Sequence, residues 1–252
     1  MKKSLRAVAV ATYIFTLVFT VNTVTANDEA NIPISANQAF DAVINQEDPA
    51  TGDKKSVALV DIRTTAEYYW VGACGKVESI TTTSGEQLIP HNGKVVMKKG
   101  NILSFKVEGH RGHLKHLSLP VQKVESIETV DISIHVPTHI WDEAGCSKHS
   151  NSDFAATIQS LSVDYDVLIL MCRSGKRSNT RAFDTSLFDA VYEIDDPNGK
   201  NGRGGFQGTS YGDIYNGYRG YPGRNMHMVD TPSASWSDAG LPVHIGWTPN
   251  TP

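Results

Sequence analysis

Residues 165–172 read YDVLILMC, a nearly unbroken apolar run of strand length that ends in a cysteine. Residues 57–63 read VALVDIR, a second such run that ends in an Asp-x-Arg triplet. Runs of this length and composition are typical of strands buried on both faces of a parallel sheet. The two stretches therefore predict an α/β fold, in which such strands alternate with helices.

Helical patterns flank both strands. Residues 34–43 carry an apolar pattern with Ser35 as the expected cap, and residues 64–69 begin with Thr64 or Thr65 as cap and Glu67 in the first turn. Farther along, the patterns predict helices over 151–161 and 178–188 and a last strand over 190–194. This alternation predicts a mainly parallel sheet that is covered on both sides.

Two parts of the chain do not follow this alternation. Between residues 75 and 133, short β-type runs separated by Gly and Asn turns predict a small antiparallel meander or barrel, with strands over 76–82, 94–97, 102–107 and 126–134. From residue 195 onward Gly, Pro, Asn and aromatic residues dominate, so we expect little regular structure there.

The composition excludes several functional classes. The 252 residues are 40% hydrophobic and 20% charged, as in an ordinary folded protein, and carry a formal net charge of −4. An acidic chain lacks the Lys and Arg surplus that nucleic-acid binding over a whole surface needs. Three cysteines are too few for a small disulfide framework.

Residues 1–26 have the features of a signal peptide. Lys2, Lys3 and Arg6 precede an apolar stretch from residue 7 to about residue 21, and Val24-Thr25-Ala26 offers a cleavage site before Asn27. Cleavage leaves 20 basic against 27 acidic residues, a net charge of −7. We expect a periplasmic or secreted protein with no membrane attachment after cleavage; the alternative is an uncleaved anchor.

Cys172 opens the segment CRSGKRS at residues 172–178, on the turn between a buried strand and the next predicted helix. In open α/β sheets, ligands bind at the carboxyl ends of the strands, where this turn is expected to lie. Backbone amides at a helix N-terminus stabilise a thiolate, and Arg173, Lys176 and Arg177 add positive charge beside it. These residues predict a nucleophilic cysteine that acts on a small anion, against the alternative of a buried cysteine before a basic surface turn.

These motifs resemble those of the single-domain rhodaneses, the thiosulfate sulfurtransferase family. The matching pieces are residues 59–63, Glu67-Tyr68, the IHVP segment at 134–137, the loop at 172–178, Gly204-Gly205-Phe206, and Trp236 with residues 239–242. The resemblance implies a five-stranded parallel sheet flanked by helices over residues 34–247. Residues 75–133 would be a β-rich subdomain inserted into it.

The resemblance also implies roles for named residues. Cys172 would take a sulfane sulfur from a small anionic donor, thiosulfate or a polysulfide, and pass it as a persulfide to a thiol or cyanide. Asp61 and Arg63 would be a buried polar pair that supports the loop. The substrate-binding residues would be Arg173, Ser174, Gly175, Lys176, Arg177 and Ser178. No cofactor and no metal is implied.

Two other functions use the same loop. A cysteine phosphatase places Arg after Cys and five further residues, where this chain has Ser178, so the loop is one residue out of register for a phosphate. A sulfur carrier, by contrast, would receive its sulfur from a protein partner docked on residues 75–133.

The remaining histidines and cysteines leave further alternatives open. His110, His113 and His116 are spaced three apart, and either bind a metal or are solvated loop residues; Gly109 and Gly112 argue against a helix that would align them. Cys74 and Cys146 flank the β-rich stretch and would close it if they formed a disulfide, which leaves Cys172 as a thiol.

Overall fold

The computed structural model describes residues 31–142, 147–173, 183–195, 205–206, 235–237 and 239–244. The helices in these ranges are α1 (Ala36–Asn45), α2 (Thr65–Val71) and α3 (Phe154–Ser160). The strands are β1 (Ile32–Ile34), β2 (Val57–Asp61), β3 (Ala73–Thr82), β4 (Gln87–Leu88), β5 (Val95–Lys98), β6 (Ile102–Glu108), β7 (Leu114–Pro120), β8 (Val124–Asp131), β9 (Ser133–His135), β10 (His139–Asp142), β11 (Ser147–Ser150), β12 (Val167–Met171), β13 (Ala190–Ile194) and β14 (Val243–His244).

The fold is mixed α/β and is organised around a sheet of five parallel strands in the order β1-β13-β12-β2-β9. The two stretches that predicted the fold, β2 and β12, are neighbours near its centre, and Met171 pairs with Asp61 at their carboxyl ends. All ten residues of these two strands are buried. The parallel sheet predicted from the sequence is therefore confirmed.

Residues of β2 and β12 alternate between two cores, because successive side chains of a strand point to opposite faces. Leu59, Ile169 and Met171 pack in one core with Phe40 of α1. The second core lies on the other face and contains Val60, Leu168 and Leu170 of the strands together with Phe154 and Ile158 of α3. The sheet is thus covered on both sides, as predicted.

The caps of the first two helices also agree with the sequence. The Ser35 side chain accepts a hydrogen bond from the Gln38 backbone amide, and the Gln38 side-chain oxygen accepts one from the Ser35 backbone amide, which completes a capping box before α1. Thr64 and Glu67 form the same motif at the start of α2. Both N-cap residues have extended backbone, so each helix begins one residue after its cap.

Residues 73–131 form antiparallel β-structure, which we call the β-rich segment. β3 pairs with β8 along most of its length, and β5, β6 and β7 form a three-stranded meander. Val77, Ile80, Val95, Leu103 and Phe105 make its core. The prediction missed β7, because its histidine and lysine hide the alternation that places Leu117 and Leu119 against this core.

A short stretch near the C-terminus joins the β-rich segment to the parallel sheet. β14 pairs with the first two residues of β3, and the Met97 amide of β5 donates to the Gly240 carbonyl at 2.9 Å. Gly240 has φ +67°, and a Cβ there would lie 2.5 Å from the Met97 carbonyl oxygen. This close approach requires glycine.

One predicted helix is partly wrong. In the expected helix over residues 178–188, the described residues form only a 3-10 turn at Thr185–Leu187, after which Phe188 is extended. Asp184 accepts a hydrogen bond from the Ser186 amide and so begins a turn instead of a helix interior. Within the described ranges, no helix combines the length and apolar character that a membrane span requires.

Candidate functional site

Three parallel strands place the candidate residues at one edge of the sheet. Asp61 pairs with His135 on one side and with Met171 on the other, and these residues end β2, β9 and β12. The hydrogen bonds continue beyond the strands, because the Ile62 amide donates to the Met171 carbonyl at 2.9 Å. The Asp-x-Arg triplet and the end of β12, which precedes Cys172, are therefore held side by side.

Asp61 and Arg63 form a buried ion pair, with exposed fractions of 0% and 1%. The Arg63 Nε lies 2.9 Å from both carboxylate oxygens of Asp61, and Nη2 lies 2.5 Å from Oδ2. Nη2 also donates to the carbonyl of Gly72 at 2.6 Å. The pair therefore ties the end of β2 to the end of α2.

The surroundings of Arg63 favour its charged form. Burial acts to lower the pKa of Arg63, but the adjacent Asp61 carboxylate outweighs it, and the net result is a raised pKa. The guanidinium carbon lies 3.9 Å from the centroid of the Phe206 ring, a cation–π contact. Arg63 Nη1 is buried and has no hydrogen-bond partner among the described residues.

Cys172 follows β12, and its side chain is fully buried. It packs in the core on the α3 face with Ile62, Val136 and Phe183. Phe206, which stacks on Arg63, belongs to the core on the other face and donates its amide to the Cys172 carbonyl at 2.7 Å. Phe206 thus links the ion pair to the Cys172 backbone, because its ring contacts Arg63 and its amide binds the Cys172 carbonyl.

Arg173 is the only one of the predicted substrate-binding residues within the described ranges. Its Nη1 lies 3.8 Å from Glu67 Oε1, and both side chains are mostly covered. Glu67 is also the capping-box residue of α2, so the start of that helix orients Arg173. The other predicted residues, Ser174, Gly175, Lys176, Arg177 and Ser178, lie outside the described residues.

Cys74 is a free, fully buried thiol, which does not support the disulfide to Cys146 that the sequence left open. Its Sγ lies 3.1 Å from Met171 Sδ, in the core on the α1 face. Burial, reinforced by Asp61, raises the pKa of Cys74 and keeps the thiol protonated. Hydrophobic packing accounts for this cysteine; Cys146 and the predicted leader at residues 1–26 lie outside the described residues.

An aromatic and polar network extends the site along the sheet edge. His135 Nε2 lies 3.0 Å from the Arg63 carbonyl, and since a carbonyl only accepts, this nitrogen carries the proton. Burial lowers the pKa of His135, which favours the neutral ring. The Tyr68 ring stacks on His135 with centroids 4.1 Å apart, and its hydroxyl donates to Asp131.

The structure separates the three histidines that suggested a metal. His110 begins a 3-10 turn, His113 follows that turn, and His116 lies in β7 with its Nε2 3.0 Å from Ser104 Oγ. The prediction that all three are loop residues is thus wrong for His116. Among the described residues, no group of three or more His, Cys, Asp or Glu side chains has a metal-binding arrangement.

No family model, no curated protein and no solved structure matches this chain. Sequence reasoning identified Asp61, Arg63 and Cys172 but assigned no part to the Gly72 carbonyl or to Asp131. A backbone carbonyl has no sequence signal, and Asp131 was one acidic residue among several in a β-type run.

Proposed function

We propose that this chain is an exported, rhodanese-type sulfurtransferase in which Cys172 carries the transferred sulfur. The observation that carries the proposal is the position of Cys172. It follows a central strand of a five-stranded parallel sheet, beside the buried Asp61–Arg63 pair, and it opens the sequence CRSGKRS. In this proposal the domain spans residues 34–247, and residues 75–133 are an insertion in it.

The reaction consists of two nucleophilic displacements. The Cys172 thiolate attacks the outer sulfur of thiosulfate, the S–S bond breaks, and sulfite leaves with the bonding electron pair. The enzyme then holds a persulfide. Cyanide or a thiolate next attacks the terminal sulfur, which yields thiocyanate or a new persulfide and returns the Cys172 thiolate, so neither step needs an external oxidant or reductant.

The described residues would support this chemistry in two ways. Arg173, oriented by Glu67, would provide a cation for the departing sulfonate group next to the reacting cysteine. The Asp61–Arg63 pair would position the turn, because its contact with Phe206 reaches the Cys172 carbonyl. These two residues are therefore positioning residues and not catalytic ones.

The test is mass spectrometry of the intact purified protein after treatment with thiosulfate or polysulfide. We expect a gain of one sulfur atom, located at Cys172 by peptide mapping and reversed by cyanide with release of thiocyanate. The Cys172→Ser variant should gain none. Cys74→Ser is the matched control, because this thiol packs against Met171 in the core of the sheet and burial raises its pKa, and it should load like the wild type.

Two results would contradict the proposal. One is sulfur loading that persists in Cys172→Ser. The other is hydrolysis of an aryl phosphate, with no adduct formed at all, which would instead indicate the phosphatase. Because Cys172 is buried, the reaction should also favour small donors: thiosulfate should load it faster than a bulky aromatic disulfide modifies it.

The distribution of charge favours a second candidate, a sulfur carrier. Residues 87–124 contain seven Lys or Arg and one Glu, whereas the rest of the chain contains 16 Lys or Arg and 26 Asp or Glu. Five of the seven cations are exposed and have no ion pair with a described carboxylate: Lys98, Lys106, Arg111, Lys115 and Lys123. Such a surface suits an acidic protein that delivers or accepts the sulfur.

Turnover distinguishes the two candidates. A free-standing enzyme should consume thiosulfate and cyanide rapidly and continuously. The double substitution Lys106→Glu and Lys115→Glu should leave this rate unchanged, because both residues lie in the β6–β7 hairpin and not among the residues of the candidate site. A carrier should load slowly from small donors and show little cyanide-dependent turnover.

A further inference from the structure

A pocket of about 170 Å³ lies beside the candidate site, where α2 meets β3, β8 and β14. It is lined by Tyr68, Tyr69, Ala73, Asp131 and His244. Pockets for drug-sized ligands are larger, roughly 300 Å³ and upward, so this one suits a ligand of only a few heavy atoms. The sulfur-transfer chemistry proposed for Cys172 does not use it.

Two tyrosines form an aromatic corner in the pocket. The Tyr68 and Tyr69 rings are nearly perpendicular, with centroids 5.4 Å apart and an interplanar angle of 83°. Tyr68 is held by stacking on His135, whereas Tyr69 is 48% exposed and forms the outer wall. The electron-rich faces of aromatic rings attract cations, and onium ligands are commonly bound between such rings.

A carboxylate completes the corner. Asp131 Oδ1 accepts from the amide and hydroxyl of Ser133 at 2.8 and 2.7 Å, and Oδ2 accepts from the Tyr68 hydroxyl. All three donors are neutral, and no described Lys or Arg forms an ion pair with Asp131. Its negative charge is therefore held in place by hydrogen bonds and is not neutralised by an ion pair with a described cation.

We propose that this pocket binds the ammonium group of a small alkylamine. The Asp131 carboxylate would supply the opposite charge, and the two tyrosine rings would surround the alkyl carbons next to the nitrogen. A neutral molecule of the same shape would lose the attraction of both the rings and the carboxylate. A small anion would be repelled by Asp131, so the pocket is not a second site for thiosulfate.

The test compares two probes of nearly equal shape, tert-butylammonium and tert-butanol, titrated into isotopically labelled protein. Amide shifts of Tyr69, Ala73 and Asp131 in the NMR spectrum report binding. The Cys172→Ser variant is used, so the result does not depend on sulfur transfer. We expect saturable shifts with the ammonium and binding of the alcohol weaker by about tenfold or more.

Three variants sharpen the test. Asp131→Asn keeps a hydrogen-bond acceptor but removes the charge, and it should weaken ammonium binding about tenfold. Tyr69→Leu, at an exposed position that should tolerate the change, should weaken it about fivefold. Asp164→Asn is the matched control, because this exposed carboxylate lies outside the pocket, and it should bind like the parent.

Equal affinity for the ammonium and the alcohol would overturn the proposal. So would unchanged ammonium binding in Asp131→Asn whose folding is verified by circular dichroism. If Asp131→Asn fails to fold, Tyr69→Leu carries the test, and unchanged binding there overturns the proposal instead.

Discussion

The parallel sheet and the β-rich segment use charged residues in opposite ways. Beside the sheet, the Arg63 guanidinium is buried against a carboxylate, a carbonyl and an aromatic ring. In the β-rich segment, Lys106, Arg111 and Lys115 are exposed and have no ion pair with a described carboxylate. The first region thus uses charge to fix its own backbone, whereas the second exposes charge to solvent.

Asp61→Asn should produce the largest effect, because it removes one partner of the buried pair. Arg63 would then remain buried without an opposite charge, and we expect a loss of about 3 to 5 kcal/mol in the free energy of unfolding. Urea denaturation followed by fluorescence measures this loss. It should be accompanied by slower sulfur loading, since the pair reaches Cys172 through Phe206.

The matched control is Asp41→Asn, which breaks the ion pair of Asp41 with Lys94 at 2.8 Å. Asp41 is 53% exposed, so this pair lies at the surface, and we expect a loss of about 1 kcal/mol or less. If the two substitutions cost the same, the contrast between buried and displayed charge is wrong.

Gly240→Ala tests the contact that joins the two regions. The new methyl group would meet the Met97 carbonyl in addition to a positive φ, and we expect a loss of about 3 kcal/mol. Gly52→Ala is the matched control, because Gly52 has φ +77° but nothing within 4 Å of the added carbon, so only backbone strain of about 1 kcal/mol remains. Thermal and urea unfolding measure the stability of both variants. Equal losses in the free energy of unfolding would mean that the backbone at Met97 moves away from the added methyl group at no cost.

The β-rich segment contains no tyrosine, so the tyrosine contribution to alkaline unfolding should come from the sheet and its helices. The pKa values of Tyr68 and of the buried Cys74 thiol are also raised, and they act in the same direction as Tyr192. Burial, and then the hydrogen bond to Asp48, raises the pKa of Tyr192 to about 12. In the unfolded chain the phenol ionises near pH 10, so its contribution is complete below that pH and is lost as the pH rises toward 12. Tyr192 should account for about 2 kcal/mol of the free energy of unfolding that the wild type loses over this range.

Tyr192→Phe removes the ionising group but keeps the ring. Its free energy of unfolding should be lower than that of the wild type at neutral pH and should fall less steeply above about pH 10. Urea titrations at several alkaline pH values make the comparison. Parallel pH curves for the two proteins would show that Tyr192 is not the group responsible.

Much of the parallel sheet could be predicted from the sequence, because its signals are local. The apolar runs of β2 and β12 mark strands buried on both faces. Ser35 and Thr64 mark helix starts, because each side chain accepts a hydrogen bond from the backbone amide three residues later. The position of Cys172 follows from the same signals. A residue that ends a parallel strand must lie at the carboxyl edge of the sheet.

The other features of the fold and the site depend on contacts between residues that are far apart in the chain, and local sequence patterns do not indicate such contacts. Arg63 finds the Gly72 carbonyl and the Phe206 ring, and neither contact has a periodic signal. The possible pairing of Cys74 with Cys146 was suggested only by their positions on either side of the β-rich stretch. In the fold, Cys74 instead packs against Met171, which lies 97 residues away in the chain.

The ends of the β-rich segment bear on how freely this molecule could be redesigned. The Ile132 amide donates to the Cys74 carbonyl at 2.9 Å, so the chain leaves the sheet region and returns to it at nearly the same point. A segment with adjoining ends can be exchanged for a shorter or longer one without straining the junction, provided that the replacement keeps the contact of Met97 with Gly240. Cys74 itself belongs to the core of the sheet, so the natural boundaries for such an exchange lie inside it, at Gly75 and Asp131.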